Sequence, residues 1–289
     1  MYVPFDNSIV LFKITNPVKA NRRKYITNAF SKYLGVMKLF FRESGQGPPL
    51  IILHGLFGSS DNWHTVAKTF AATHKVYLVD QRNHGQSPHS DDLNYRLLAG
   101  DVHQFVEDHG LKNVAVIGHS MGGKAAMNFA VKYPDQLEKL VVVDIAPKAY
   151  PLHHDRLVAG MKALALDQLT SRNEADAMLA AYVPDASERQ FLLKNLVRKT
   201  SGGFQWKLNV KAIDEHLPEL GEGMQYPGKF EKPTLFVRGA RSGYFKPGDE
   251  DDIRKIFPRA QFVVLETGHW VQAEQPVEFA KAVLAFLDQ

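Results

Sequence analysis

Residues 114–126 read Val114-Ala115-Val116-Ile117-Gly118-His119-Ser120-Met121-Gly122-Gly123-Lys124-Ala125-Ala126. Val114 to Ile117 form a continuous apolar run, the pattern of a strand covered on both faces. The alanine-rich stretch behind the glycines predicts a helix over 121–133, stopped before Pro134. Between strand and helix stands the pentapeptide G-x-S-x-G. A serine on so sharp a turn has its hydroxyl pushed out at the top edge of the sheet. The glycines let the backbone pass close by, and the helix N-terminus favours developing negative charge. Ser120 is therefore the candidate nucleophile. The alternative is a tight turn whose serine only caps the helix.

Outward from this stretch the chain alternates strands and helices. Lys38 to Glu43 reads as an edge strand, followed by the turn Gly45-Gln46-Gly47-Pro48-Pro49. Leu50-Ile51-Ile52-Leu53, Val76-Tyr77-Leu78-Val79 and Leu140-Val141-Val142-Val143 are short buried-strand runs. Helical spacing is expected over 61–72 and 95–109. Strand logic returns at Thr234-Leu235-Phe236-Val237 and Gln261-Phe262-Val263-Val264-Leu265, with a closing helix over 276–287. Such alternation predicts a mostly parallel twisted sheet with helices on both faces.

Between 148 and 226 no buried-strand run occurs. Residues 155–169, 173–182 and 187–199 read as helices, broken by Pro184 and by Ser201-Gly202-Gly203. This insertion cannot join the sheet, so it should fold back as a helical cap over the strands' C-terminal edge, where ligands bind in open α/β sheets. The expected division is a basic extension over 1–36, a core over 37–147 and 227–289, and a cap over 148–226.

The chain has 289 residues, 45% of them hydrophobic and 23% charged, the composition of an ordinary globule. It has no cysteine, which excludes disulfides, thiolate metal sites and cysteine nucleophiles. The net charge of +4 is concentrated in residues 1–36, which hold six Lys/Arg and one acid, leaving 29 bases against 30 acids in the rest. The body therefore offers no electrostatic case for nucleic acid. No apolar stretch approaches the roughly 18 residues of a membrane span. Residues 1–36 read as a disordered arm or as sequence upstream of a natural start at Met37, with a transit-like leader as the third reading. A cytoplasmic location is expected, or an organellar one if the leader reading holds. Oligomeric state is not legible.

A nucleophilic serine needs a base. His269 stands in Leu265-Glu266-Thr267-Gly268-His269-Trp270, on a loop after the last expected strand, where the order serine, acid, histidine puts the base. His54 and His119 flank the site loops and should set backbone geometry. His153-His154-Asp155 should be a solvated face of the cap: adjacent residues point apart and no H-E-x-x-H pattern accompanies them, so no metal is expected. For the acid, Asp144 directly ends the strand 140–143, one strand beyond the nucleophile's. Asp249 and Asp251 are the alternatives. The oxyanion hole should take one N–H from Met121 and one from the loop His54-Gly55-Leu56-Phe57-Gly58, with Leu56 ahead of Phe57. Arg82, in Gln81-Arg82-Asn83-His84-Gly85-Gln86-Ser87, should tie neighbouring loops together. Phe57, Trp63, Phe191, Phe204, Trp206 and Trp270 are candidates for an apolar acyl pocket, although aromatics at such positions are as often plain core.

Over residues 37–289 the chain resembles the α/β-hydrolase superfamily, and within it the YbfF and ABHD11-like short-acyl esterases. The resemblance rests on His54-Gly55-Leu56-Phe57-Gly58-Ser59, Asp80-Gln81-Arg82-Asn83-His84-Gly85, Gly118 to Lys124, Asp144-Ile145-Ala146-Pro147, Phe191-Leu192-Leu193-Lys194-Asn195-Leu196 and Gly268-His269-Trp270. The Gly-Gly-Lys extension and the Asp-Ile-Ala-Pro segment are much more specific than G-x-S-x-G. The resemblance implies a triad acid within Asp-Ile-Ala-Pro and small acyl esters or thioesters as substrates, without cofactors. A yeast branch of the group implies the alternative, acyl transfer from acyl-CoA to an alcohol. A small-molecule receptor with a residual triad is the reading from another class.

Overall fold

The computed structural model describes residues 35, 37–151 and 154–289. The expectations for the basic segment 1–36 therefore lie outside the described residues, as does His153. The first half of the chain runs β1 (Phe41–Ser44), β2 (Pro49–Leu53), α1 (His64–Phe70), β3 (Lys75–Val79), α2 (Tyr95–Asp108), β4 (Val114–His119), α3 (Met121–Lys132) and β5 (Leu137–Val143). There follow α4 (Asp155–Ala163), α5 (Arg172–Leu179), α6 (Ala186–Leu193), β6 (Leu196–Arg198), β7 (Phe204–Trp206), α7 (Val210–Glu215) and α8 (Leu217–Gly221). The chain closes with β8 (Thr234–Gly239), α9 (Asp249–Ile256), β9 (Ala260–Leu265), α10 (Val271–Glu274) and α11 (Pro276–Leu287).

Seven strands form one sheet in the order β1-β3-β2-β4-β5-β8-β9. Only β1 is antiparallel, paired with β3 at the edge. The other neighbours are parallel, with Ile52 beside Ile117, Ile117 beside Val141 and Val141 beside Leu235. Because successive side chains leave a strand on opposite faces, each apolar run feeds two cores. Ile51, Leu53, Val116, Val142 and Phe236 pack on one face with α2 and α3, through Leu98, Val102, Ala125 and Phe129. Leu50, Ile52, Ile117, Val141 and Leu235 pack on the other with α1 and α11, through Val66, Phe70, Phe279 and Val283. Fully burying each such aliphatic side chain is worth about 2 kcal/mol. This double coverage explains why the runs read as continuous apolar segments and not as alternating ones.

The segment between β5 and β8 departs from the sequence expectation in two places. The helix expected over 155–169 ends at Ala163, where Leu164 turns to ψ 123°. The helix expected over 187–199 ends at Leu193, and the chain turns at Lys194-Asn195 into β6. The antiparallel ribbon of β6 and β7 is separate from the main sheet. Gly202 and Gly203, at φ 95° and 70°, make the reversal between its strands. Leu164, Leu169, Ala175, Leu179, Leu193, Leu196 and Phe204 form a small core within this segment.

Candidate active site

Ser120 joins β4 to α3 at φ 53° and ψ −117°, a conformation few L-residues adopt. Its N–H donates to the Val143 carbonyl at 3.0 Å, and its carbonyl accepts from the Lys124 N–H at 3.0 Å. The turn has no room for side chains at the flanking glycines. A Cβ on Gly118 would lie 2.3 Å from the Gly122 carbonyl oxygen, and one on Gly122 would lie 2.5 Å from those of Leu53 and His54. Met121 is the first residue of α3, so its N–H points out of the helix end.

At the C-terminal end of β5, Asp144 takes φ 51°, which redirects the chain and turns its carboxylate toward the neighbouring strand. Asp144 is fully buried. Its Oδ1 accepts from the Gly239 N–H at 2.9 Å. Its Oδ2 accepts from His269 Nδ1 at 2.7 Å and also from the Ser242 hydroxyl. The His269 ring is partly open, with 24% of its side chain exposed. Tyr244 stacks on it with ring centres 4.0 Å apart and planes 17° apart. The His269 backbone carbonyl accepts from His119 Nε2 at 2.9 Å, which moors the loop beside the residue preceding Ser120. Burial, with His269 adjacent, holds the His119 imidazole well below its ordinary pKa, so it is neutral and carries its proton on Nε2. Asp249 is engaged elsewhere, by the Lys148 ammonium at 2.6 Å and the Lys246 N–H at 2.7 Å.

The loop after β2 is held by two more neutral histidines. His54 donates from Nδ1 to the Gly55 carbonyl at 2.9 Å and accepts at Nε2 from the Gln81 N–H at 3.0 Å. His84 donates from Nδ1 to the Arg82 carbonyl at 2.8 Å and accepts at Nε2 from the Phe57 N–H at 3.3 Å. Burial lowers the pKa of His54 and pushes that of His84 down to about 3. The Phe57 N–H is thus engaged, whereas among the described residues no acceptor pairs with the Leu56 N–H. Arg82 ties the loops as expected: its guanidinium grips Asp101 at 2.6 and 2.8 Å in a fully buried pair and reaches the Asp92 carbonyl at 3.2 Å.

A cavity of about 50 Å³ lies at Ser120. Leu56, Tyr95, Met121, Lys124 and Ile145 line it from one side of the chain's long interruption. Tyr150, Pro151, His154, Leu217, Leu220 and Gly221 line it from the segment after β5, and Tyr244 from the loop after β8. None of the six aromatic pocket candidates is among these residues. Trp63 is fully buried against Phe279 and His119. Phe57 belongs to the main core and Phe204 to the small core of the segment 148–226. Trp206 donates to the Met161 carbonyl at 3.2 Å, and Phe191 packs on Trp270 with centres 5.5 Å apart. These aromatics make packing contacts away from this cavity, which three tyrosines line instead. Of the expected solvated face at His153-His154-Asp155, His154 is corrected: it is partly buried, lines the cavity and lies edge-on to Phe57, whereas Asp155 is exposed. Ser242, Tyr244, Tyr95 and Tyr150 gave no local signal in the sequence.

The chain belongs to the alpha/beta hydrolase fold family, whose model matches residues 48–276. It is similar to the sn-1-specific diacylglycerol lipase ABHD11 of Mus musculus, with 40% identity over 249 residues, covering 83% of this chain and 81% of the relative. It is 34% identical to Esterase YbfF of Escherichia coli over 83% of this chain and 93% of that protein. The solved structure of a marine microorganism esterase superposes with a TM-score of 0.84 at 40% identity, covering 86% of this chain and 99% of that one. Within the family the chain is an ABHD11/YbfF-like carboxylic ester hydrolase. No helix among the described residues is long and apolar enough to cross a membrane.

Proposed function

We propose that this chain cleaves small acyl esters or thioesters through a Ser120-His269-Asp144 triad and an acyl-enzyme. The observation that carries the reading is the 2.7 Å bond between His269 Nδ1 and the buried Asp144 carboxylate, on a loop moored to His119, the residue that precedes a serine held at φ 53°. With Nδ1–H given to Asp144, the free nitrogen is Nε2, the one a general base needs. Ser120 Oγ attacks the acyl carbon while His269 takes its proton. His269 then returns that proton to the departing alkoxide or thiolate. Water, deprotonated by the same imidazole, releases the acid. Asp144 keeps the ring in one tautomer and stabilises the imidazolium. The amides of Met121 and Leu56 hold the oxyanion; each such donor is typically worth about 3 kcal/mol in the transition state. Leu56 is favoured over Phe57 because His84 occupies the Phe57 N–H. Residues 148–226 act as a cap, supported by the half of the cavity lining they supply.

Phenylmethylsulfonyl fluoride should label Ser120 and stop turnover of p-nitrophenyl butyrate, and Ser120→Ala should abolish both. Turnover that persists in a folded Ser120→Ala protein overturns the reading.

A further inference from the structure

Lys124 closes the Gly-Gly-Lys extension of the serine turn, one helical turn beyond Ser120. That is a rise of about 6 Å along the helix. Its side chain is 2% exposed and lines the cavity at Ser120. The ammonium donates to the Glu222 carbonyl, more distantly to that of Gly221 at 3.4 Å, and faces the rings of Tyr150 and Tyr95 at 4.9 and 5.2 Å. Among the described residues no carboxylate lies within ion-pair distance of it. The Glu222 carboxylate is instead bonded to Gln225 at 2.6 Å.

Two tyrosine hydroxyls of the cavity are committed. The Tyr95 hydroxyl donates to the Leu220 carbonyl, and the Tyr150 hydroxyl donates to the Tyr244 carbonyl while accepting from the Ala146 N–H, each at 2.8 Å. A buried ammonium with no carboxylate in ion-pair contact is costly, and an aliphatic side chain would fill the same volume without that cost. Burial lowers its pKa to about 8, against a smaller opposing pull from the Glu222 carboxylate. A carboxylate delivered by the substrate would supply the missing partner.

We propose that the site prefers acyl groups that end in a carboxylate, the half-esters and half-thioesters of short dicarboxylic acids, with Lys124 binding the distal carboxylate. This rests on the triad reading above and names the substrate class of that site. The chemistry is unchanged: the Ser120 Oγ–acyl bond forms as the ester C–O bond breaks, the alcohol leaves with the proton from His269, and water releases the diacid.

The test compares monoethyl succinate with ethyl 4-methylpentanoate, whose terminal isopropyl group matches the carboxylate in shape without its charge. Acid release is followed by pH-stat at pH 7. The unmutated chain should show a kcat/KM at least tenfold higher for the half-ester. In Lys124→Met the ratio should fall at least tenfold, and Lys124→Arg should retain a preference. Equal kcat/KM for the two esters in the unmutated chain overturns the proposal without any variant. A Lys124→Met protein in which both rates fall in parallel also overturns it, since Lys124 then only clamps the Glu222 carbonyl. Failure of the triad reading is separate: it appears as turnover of either ester surviving Ser120→Ala.

Discussion

The side-chain amide of Asn195, at the end of α6, donates at 2.7 Å to the backbone carbonyl of Phe57, in the loop after β2. The bond is buried, with Asn195 3% exposed and also bonded to the Leu192 carbonyl at 3.3 Å. Phe57 itself stands at φ 59°, so its peptide groups hold an orientation the free chain would leave. His84 fixes the Phe57 N–H and Asn195 fixes the Phe57 carbonyl, and the Leu56 amide lies one residue before these two anchors. The segment 148–226 therefore reaches into the loop proposed to hold the oxyanion.

Asn195→Ala should lower kcat for p-nitrophenyl butyrate by up to about 100-fold, the scale of a small misplacement of a catalytic group. KM should change much less, because the acyl cavity is not lined by Asn195. The unpaired Phe57 carbonyl should also reduce stability by about 1–3 kcal/mol. Steady-state kinetics beside a urea titration separates the two effects, and an unchanged kcat in a destabilised protein would make the bond structural only.

Asp144→Asn should reduce kcat by about 10⁴, since an amide can hold the imidazole in the wrong tautomer. Asp249→Asn should remove its link to Lys148, an exchange of modest effect on turnover. The pair of variants, assayed with one chromogenic ester, assigns the acid. The reverse pattern moves it to Asp249.

His54, His84 and His119 all have folded pKa values lowered by burial, that of His84 to about 3. A lowered folded pKa means that the unfolded chain takes up protons first as the pH falls. Their neutral forms support the fold fully above about pH 6.5, and the support declines below it. His84 alone should account for about 2 kcal/mol lost by pH 5. Urea titrations between pH 7.5 and 5 should show stability falling with acid. A flat profile over that range would mean these imidazoles are hydrated.

Gly122→Ala should weaken the serine turn, because the new methyl meets two backbone carbonyl oxygens at 2.5 Å that cannot swing aside. A loss of about 2–3 kcal/mol is expected, lowering Tm by at least about 5 °C in a domain of this size.

Local sequence patterns carried the sheet, the turn bearing Ser120, and the positions of Asp144 at a strand end and His269 on the loop after the last strand. These follow from local patterns: buried strands are short apolar runs, and a strand's C-terminal edge is the next residue along. The sequence also carried the loop after β2, since glycines and histidines at fixed offsets mark its turns. Tertiary structure alone decided the ribbon of β6 and β7, where the bond from Asn195 to a residue 138 positions away accompanies the helix end. It decided, too, that Tyr95, Tyr150 and Tyr244 line the cavity while Trp63 and Phe204 fill cores. An aromatic side chain has the same local signature in either place. Which one it occupies depends on what distant segment lies against it, and that is a property of packing in three dimensions.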